Sequence, residues 1–283
     1  LVRSGGVLVC VLALVGLVVA AVLTSEPGAL VGMLPAALGA ASYVWQRFAG
    51  EFGFRASVSP DGIRLRHGLL EQRAQTVPPG RVQAVRISQG LLWRGKDWWR
   101  VQMNVAGYGL NVGQSGNART TETVLLPVGD RDEALRALWL VLPDLGVENP
   151  RLLLDAALVG SGPAGGFTVA PRSARWLDPL TWRRNGLAVT ERAVLLRTGR
   201  LNRTLVVVPH EKTQSLGLDQ GPLQRRLGLA SVALHSTPGP ITPALPHLDQ
   251  HDAAAWLREQ ADRARAARAT AVPDRWMSGG RTP

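Results

Sequence analysis

The chain has one cysteine, Cys10, and it lies in an apolar run. A disulfide framework and a cysteine-based metal centre are therefore both excluded within one chain. Lysine is nearly absent: Lys96 and Lys212 are the only two, so arginine carries almost all of the positive charge. GC-rich coding produces that bias through codon usage, so the net charge of +11 does not by itself point to nucleic acid. It also suits a domain at the cytoplasmic face of a membrane. No helix-turn-helix or aromatic stacking motif supports nucleic-acid binding.

Catalytic patterns are missing as well. Gly113–Gly116, "GQSG", lacks the G-x-S-x-G spacing of a nucleophile elbow. His247 and His251 lie four apart, but Leu248 and Asp249 come directly after the first histidine and no third ligand is apparent. The pair is expected to mark a solvated helix start rather than a zinc motif. One stretch looks like an exception. "LVGSGPAGG" holds Gly160-x-Gly162-x-x-Gly165, the spacing of a dinucleotide-binding turn. Such a turn needs a strand before it, a helix after it and an acidic residue about twenty positions on. "LLLDAALV" reads as a strand, but Pro171 breaks any helix after the glycines, and Asp178 stands before Pro179. The stretch is expected to be a Gly/Pro/Ala-rich linker with no cofactor.

Charge is also absent from Gly5–Leu23, "GGVLVCVLALVGLVVAAVL". At about 1.5 Å per residue this run approaches the roughly 30 Å of a bilayer core. The turn "TSEPG" comes next, then a shorter apolar run, Ala29–Trp45, interrupted by Pro35 and ending in Tyr43 and Trp45. The first run exceeds a signal-peptide core, and a second comes at once after it. A transmembrane α-hairpin is expected ahead of a signal peptide or a buried soluble hairpin. Glu26 is the turn's only charge, whereas Arg3, Arg47 and Arg55 flank the pair. The positive-inside rule then puts both ends in the cytoplasm, as a multi-pass protein of the cell membrane.

What the remaining sequence does contain is a repeat. Val58–Arg94 aligns with Val189–Arg225 at an offset of 131 without a gap. Identical pairs include Arg66/Arg197, Gly68/Gly199, Val77/Val208, Pro78/Pro209, Gln83/Gln214, Gln89/Gln220, Gly90/Gly221, Leu92/Leu223 and Arg94/Arg225. Ile63-x-Leu65 and Val194-x-Leu196 read as short alternating strands, and each copy has a second strand ending at its Val-Pro pair. Val82–Ile87, Arg100–Gly107, Ala230–Thr237 and Glu122–Val128 read as later strands. Each copy then closes with an amphipathic helix. Asp130 or Asp132 caps the first, with Leu135, Leu138, Trp139 and Leu142 on one face. Asp249 caps the second, with Ala253, Trp256, Leu257 and Ala261 on one face. Short antiparallel strands and then one such helix make a small sandwich or barrel.

These elements resemble the bacterial pleckstrin-homology-like domains of the membrane-flanked YdbS/YdbT-like proteins. G-x-L-x-R at Gly199–Arg203, V-P-x-x-x-x-Q in both copies and "QGPLQRRLGL" at Gln220–Leu229 carry the resemblance. It implies a mainly β fold with two pleckstrin-homology-like sandwich or barrel domains, each closed by a C-terminal helix. It also implies membrane anchoring and no known enzymatic activity. Larger members carry three such domains, so the resemblance leaves room for a further domain upstream of Leu1. The first copy departs from the pattern at "GKDWWR" and in an extended loop, Tyr108–Thr121.

The expected organisation is a hairpin at 1–50, a first domain at 51–146, a linker at 147–182, a second domain at 183–270 and a tail at 271–283. The expected function is a non-catalytic interaction module at the membrane, binding a protein partner, a second copy of itself or anionic lipid headgroups. The alternative is an accessory subunit of a transport or envelope-stress system. Arg197, Arg200, Arg203, Arg225 and Arg226 are the expected contacts for lipid or partner. No catalytic residue, cofactor or metal is expected. Trp176 and Trp182, set among arginines, lie either at a membrane interface or against the second domain.

Overall fold

The computed structural model describes residues 55–59, 62–67, 73–106, 124–237 and 239–270, with isolated helical residues at Val19, Pro35, Leu38, Gly39 and Ser42. The expected transmembrane hairpin is not supported: among the described residues no helix is long and apolar enough to cross a membrane. The runs that prompted it, Gly5–Leu23 and Ala29–Trp45, lie outside the described residues apart from those isolated positions. The longest described helix, Gln250–Thr270, has 21 residues. It carries Arg258, Arg263, Arg265 and Arg268, charges that a bilayer core does not accept.

The first repeat opens with β1 (Arg55–Ser59), β2 (Gly62–His67) and β3 (Arg73–Val77), a three-stranded antiparallel sheet. It continues with β4 (Val82–Gln89), β5 (Trp99–Val105), β6 (Val124–Gly129) and helix α1 (Arg131–Val141). After α2 (Pro150–Leu158) and β7 (Thr168–Val169) the second repeat supplies β8 (Gly186–Val189), β9 (Ala193–Thr198) and β10 (Arg203–Pro209). Then come β11 (Ser215–Asp219), the short α3 (Pro222–Arg226), β12 (Leu229–His235), β13 (Ala244–Asp249) and α4 (Gln250–Thr270). The 131-residue offset maps β2 onto β9 without slippage, since 62 + 131 = 193 and 67 + 131 = 198. It also places the 3-10 turn Leu91–Lys96 over α3.

The two copies are not separate sandwiches. The C-terminal sheet of the first and the N-terminal sheet of the second join into one seven-stranded antiparallel sheet, ordered β6-β5-β4-β10-β9-β8-β7. The seam is β4 against β10, with Ile87 opposite Leu205 and Val85 opposite Val207. Side chains alternate along a strand, so each side of this sheet collects its own set. Val85, Ile87, Met103, Leu195, Leu205 and Val207 meet Ile63 and Val77 of the first sheet, together with α1 and α2. Ala84, Val194, Leu196, Val206 and Val208 meet Val232, Leu234 and Leu245 of the β11-β12-β13 sheet, together with Trp256 of α4. Burial on both faces explains why β9 and β10 read as near-continuous apolar runs, "AVLLRT" and "RTLVVVP".

The closing helices sit as their caps predict. Asp130 Oδ1 accepts from Glu133 N at 2.7 Å, and Glu133 Oε2 accepts from Asp130 N at 3.0 Å, a complete capping box. Asp249 Oδ1 accepts from His251 N at 2.8 Å at the start of α4. The 147–182 connection is not structureless. Asn149 Oδ1 caps α2, Pro150 occupies its first turn, and Leu153, Leu154, Ala157 and Leu158 are buried. The run "LLLDAALV" that reads as a strand is mostly this helix, because a short apolar run does not reveal its period. The helix packs on β9 and β10, covering a face of the second repeat.

Candidate functional site

The five arginines singled out in the sequence do not gather into one patch. Arg197 points inward and is 0% exposed. Its Nε donates to Arg184 O at 2.9 Å, Nη1 to Ala156 O at 2.7 Å and Nη2 to Gly162 O at 2.6 Å. Its guanidinium carbon stands 4.2 Å from the ring centroid of Phe167. Arg184, which the sequence did not mark, donates to Gly160 O at 2.5 Å, Leu158 O at 2.7 Å and Ala157 O at 3.0 Å. The last carbonyls of a helix lack partners within it and carry its negative end. Two guanidinium groups satisfy them here. Burial pushes the Arg197 pKa down to about 10. Burial, then the nearby charges of Arg197, Arg203 and Arg94, push Arg184 down to about 9. Both stay charged at neutral pH.

That arrangement explains the glycine spacing. A helix precedes Gly160, and the next element after the motif is the two-residue β7 rather than a helix. Gly162 and Gly165 have φ of 71° and 73°, in the left-handed region. A Cβ at Gly160 would stand 2.6 Å from Ala156 O. The glycines let the chain leave α2 while its carbonyls face two arginines.

Arg200 and Arg203 lie at the β9–β10 turn. Arg203 Nη1 donates to Gln89 Oε1 at 3.1 Å. Arg94 of the first repeat reaches across to the backbone carbonyls of Arg200 and Leu201. Burial, then the charges of Arg203 and Arg200, lower the Arg94 pKa. These contacts lock the copies together more than they present charge.

Arg225 and Arg226 are exposed on α3, at a separate place. Beside α3 runs the 172–183 segment, held by Ala174, Leu177 and Trp182 packed with Leu227 and Leu229. Trp182 thus lies against the second repeat, whereas Trp176 is 72% exposed, with the Arg175 guanidinium 5.3 Å from its ring centroid. The Arg183 guanidinium stands 5.3 Å from the ring of Trp182. Leu180 and Leu223 also face outward. Asp178, the segment's acid, is turned inward and accepts from Thr181 and from Asn185 Nδ2 at 2.8 Å. Trp176, Leu180 and Leu223 are therefore exposed, and so are Arg172, Arg175, Arg183, Arg225 and Arg226 on the same two segments.

A second feature is a polar groove of about 280 Å³ on the joined sheet, where Arg86 and Ser88 of β4 lie between Gln102 of β5 and Thr204 of β10. Neither the groove nor the Trp176 face carries paired carboxylates, and no group of three metal-ligating side chains occurs among the described residues.

The bacterial PH domain family matches the chain twice, over residues 7–142 and 152–265. The two matches correspond to the two repeats. No curated protein matches the chain. Domains of this family are generally non-catalytic interaction modules.

Proposed function

Because the chain belongs to the bacterial PH domain family, we propose that it is a non-catalytic interaction module that docks peripherally on an anionic phospholipid surface. Within the family, the Gly199–Arg203 and Gln220–Leu229 elements favour the YdbS/YdbT-like branch. The observation that carries the docking reading is Trp176, 72% exposed with the Arg175 guanidinium 5.3 Å from its ring centroid. A monomer gains nothing by leaving an indole and two leucines in water amid like charges. At a headgroup layer the same set is favourable: indole prefers the interface, arginine stems cover apolar surface, and the guanidinium groups meet phosphates. Each basic residue near an anionic leaflet contributes roughly 1 kcal/mol of attraction.

Vesicle flotation with the full chain tests this. Wild type binds phosphatidylcholine vesicles containing phosphatidylglycerol several-fold more tightly than vesicles of phosphatidylcholine alone, and salt weakens the difference. Trp176→Ala and Arg175→Glu/Arg183→Glu reduce it. The apolar N-terminal runs are common to every variant, so differences between variants isolate this face. Equal binding to both vesicle types, or no effect of either variant, overturns the reading.

A further inference from the structure

The groove on the joined sheet is unlike the docking face in chemistry and position. It exists only because the two repeats share a sheet. Along the seam Arg86 stands opposite Gln102 on β5 and opposite Val206 on β10, while Ser88 stands opposite Thr204, which stands opposite Thr198 on β9. These side chains share one face. It is the face that continues, toward Ala84, into the core of the second repeat. Where the β11-β12-β13 sheet stops short, the face opens, and Thr242 and Ala244 at the start of β13 form its wall.

Arg86 is partly withdrawn from water, and burial alone lowers its pKa from the ordinary arginine value. Among the described residues its side chain makes no hydrogen bond or ion pair, and no carboxylate lines the groove. A half-withdrawn charge without a partner gains from one, since buried charges are normally paired. The hydroxyls of Ser88, Thr198, Thr204 and Thr242 likewise make no hydrogen bond to described residues. A cation ringed by hydroxyl donors is a receptor for an oxyanion. Phosphate suits it better than carboxylate, because three terminal oxygens use more of these donors. The volume of about 280 Å³ lies near the lower end of ligand pockets and has room for a phosphate with a small polyol substituent.

We propose that this inter-repeat groove is a binding site for a phosphate monoester, with Arg86 as its anchor and Ser88 and Thr204 as hydroxyl donors. The site is independent of the Trp176 face. The phosphate belongs either to a free small molecule or to a lipid headgroup.

Calorimetric titration of the full chain with inorganic phosphate, glycerol 1-phosphate and glycerol tests the site. Both phosphates bind and glycerol does not. Arg86→Gln weakens glycerol 1-phosphate binding at least tenfold, Arg86→Lys weakens it less, and Trp176→Ala leaves it unchanged. Should Arg86→Gln fail to fold, Thr204→Val provides the same comparison with a smaller loss. Vesicles containing phosphatidate separate the two sources: a headgroup source requires Arg86→Gln to lower vesicle retention, and a free source leaves retention unchanged while titration still responds. Absence of phosphate binding at tens of millimolar, or equal affinity in wild type, Arg86→Gln and Thr204→Val, overturns the proposal.

Discussion

Asn104 and Ile241 hold each other by two hydrogen bonds, Asn104 Nδ2 to Ile241 O at 2.7 Å and Ile241 N to Asn104 Oδ1 at 2.9 Å. One residue belongs to β5 of the first repeat and the other to the β12–β13 loop of the second. Both are buried, so the amide closes two backbone groups that water does not reach. Asn104→Ala strands both, and each buried orphan costs about 1–3 kcal/mol. The expected loss is about 2–6 kcal/mol in urea unfolding. Because the repeats share a sheet, wild type should unfold in one transition by both fluorescence and circular dichroism. Two separated transitions in wild type would contradict the joined sheet.

Arg197 supports a second prediction. Its three donated bonds need the planar fork of a guanidinium, which lysine cannot copy. Arg197→Lys should therefore fail to restore stability, and Arg197→Met should lose about 3 kcal/mol or more, since carbonyls at the end of α2 are left bare. Gly165→Ala attacks the same corner from the other side: its φ is 73°, and the new Cβ would stand 2.6 Å from Ala156 Cβ. If either arginine variant melts like wild type, the two-arginine cap on α2 is not structural.

Much of this was legible in the residues, and the illegible part has a common cause. The match of β2 with β9 followed from the 131-residue offset, and Asp130, one of the two cap candidates, starts α1. The β4–β10 seam pairs residues more than a hundred positions apart, and no local period encodes such a pairing. The run "LVVV" in β10 was its trace, since unbroken apolar residues mean burial on two sides. Arg197 looked like surface charge because arginine is seldom buried without partners. Its partners are backbone carbonyls, which carry no mark in the sequence. Arg86 was hidden for a similar reason: it shares a strand face with Ala84 and Ser88, and nothing local says that Thr242 stands beside it.

Gly199 follows β9 with φ of 76°, and a Cβ there would collide with Asn202 O. Gly199→Ala must open the turn that also receives Arg94. The expected cost is about 1–3 kcal/mol, read from the shift in urea midpoint at unchanged slope. A neutral outcome would mean that the turn adopts another conformation.

His210 makes stability depend on pH. Its ring is buried, with Nε2 donating to Thr190 O at 2.9 Å and Nδ1 accepting from Gln260 Nε2 at 2.9 Å. Both nitrogens are thus used by the neutral ring, and a proton on Nδ1 would face the Gln260 amide donor. Burial lowers the His210 pKa below 6.5; the Thr190 carbonyl and Glu211 oppose this, and Arg263 reinforces it. Above pH 6.5 the ring is neutral folded or unfolded, so this group contributes no slope. Below it the unfolded chain takes up the proton first. The unfolded state then binds more protons, and stability falls as the solution is acidified until the folded pKa is reached. The slope from this group is at most about 1.4 kcal/mol per pH unit. Urea unfolding between pH 7.5 and 5.5 measures it, and His210→Gln should flatten the curve over that window while lowering stability at pH 7.5. A variant that keeps the wild-type slope would place the acid sensitivity on other groups.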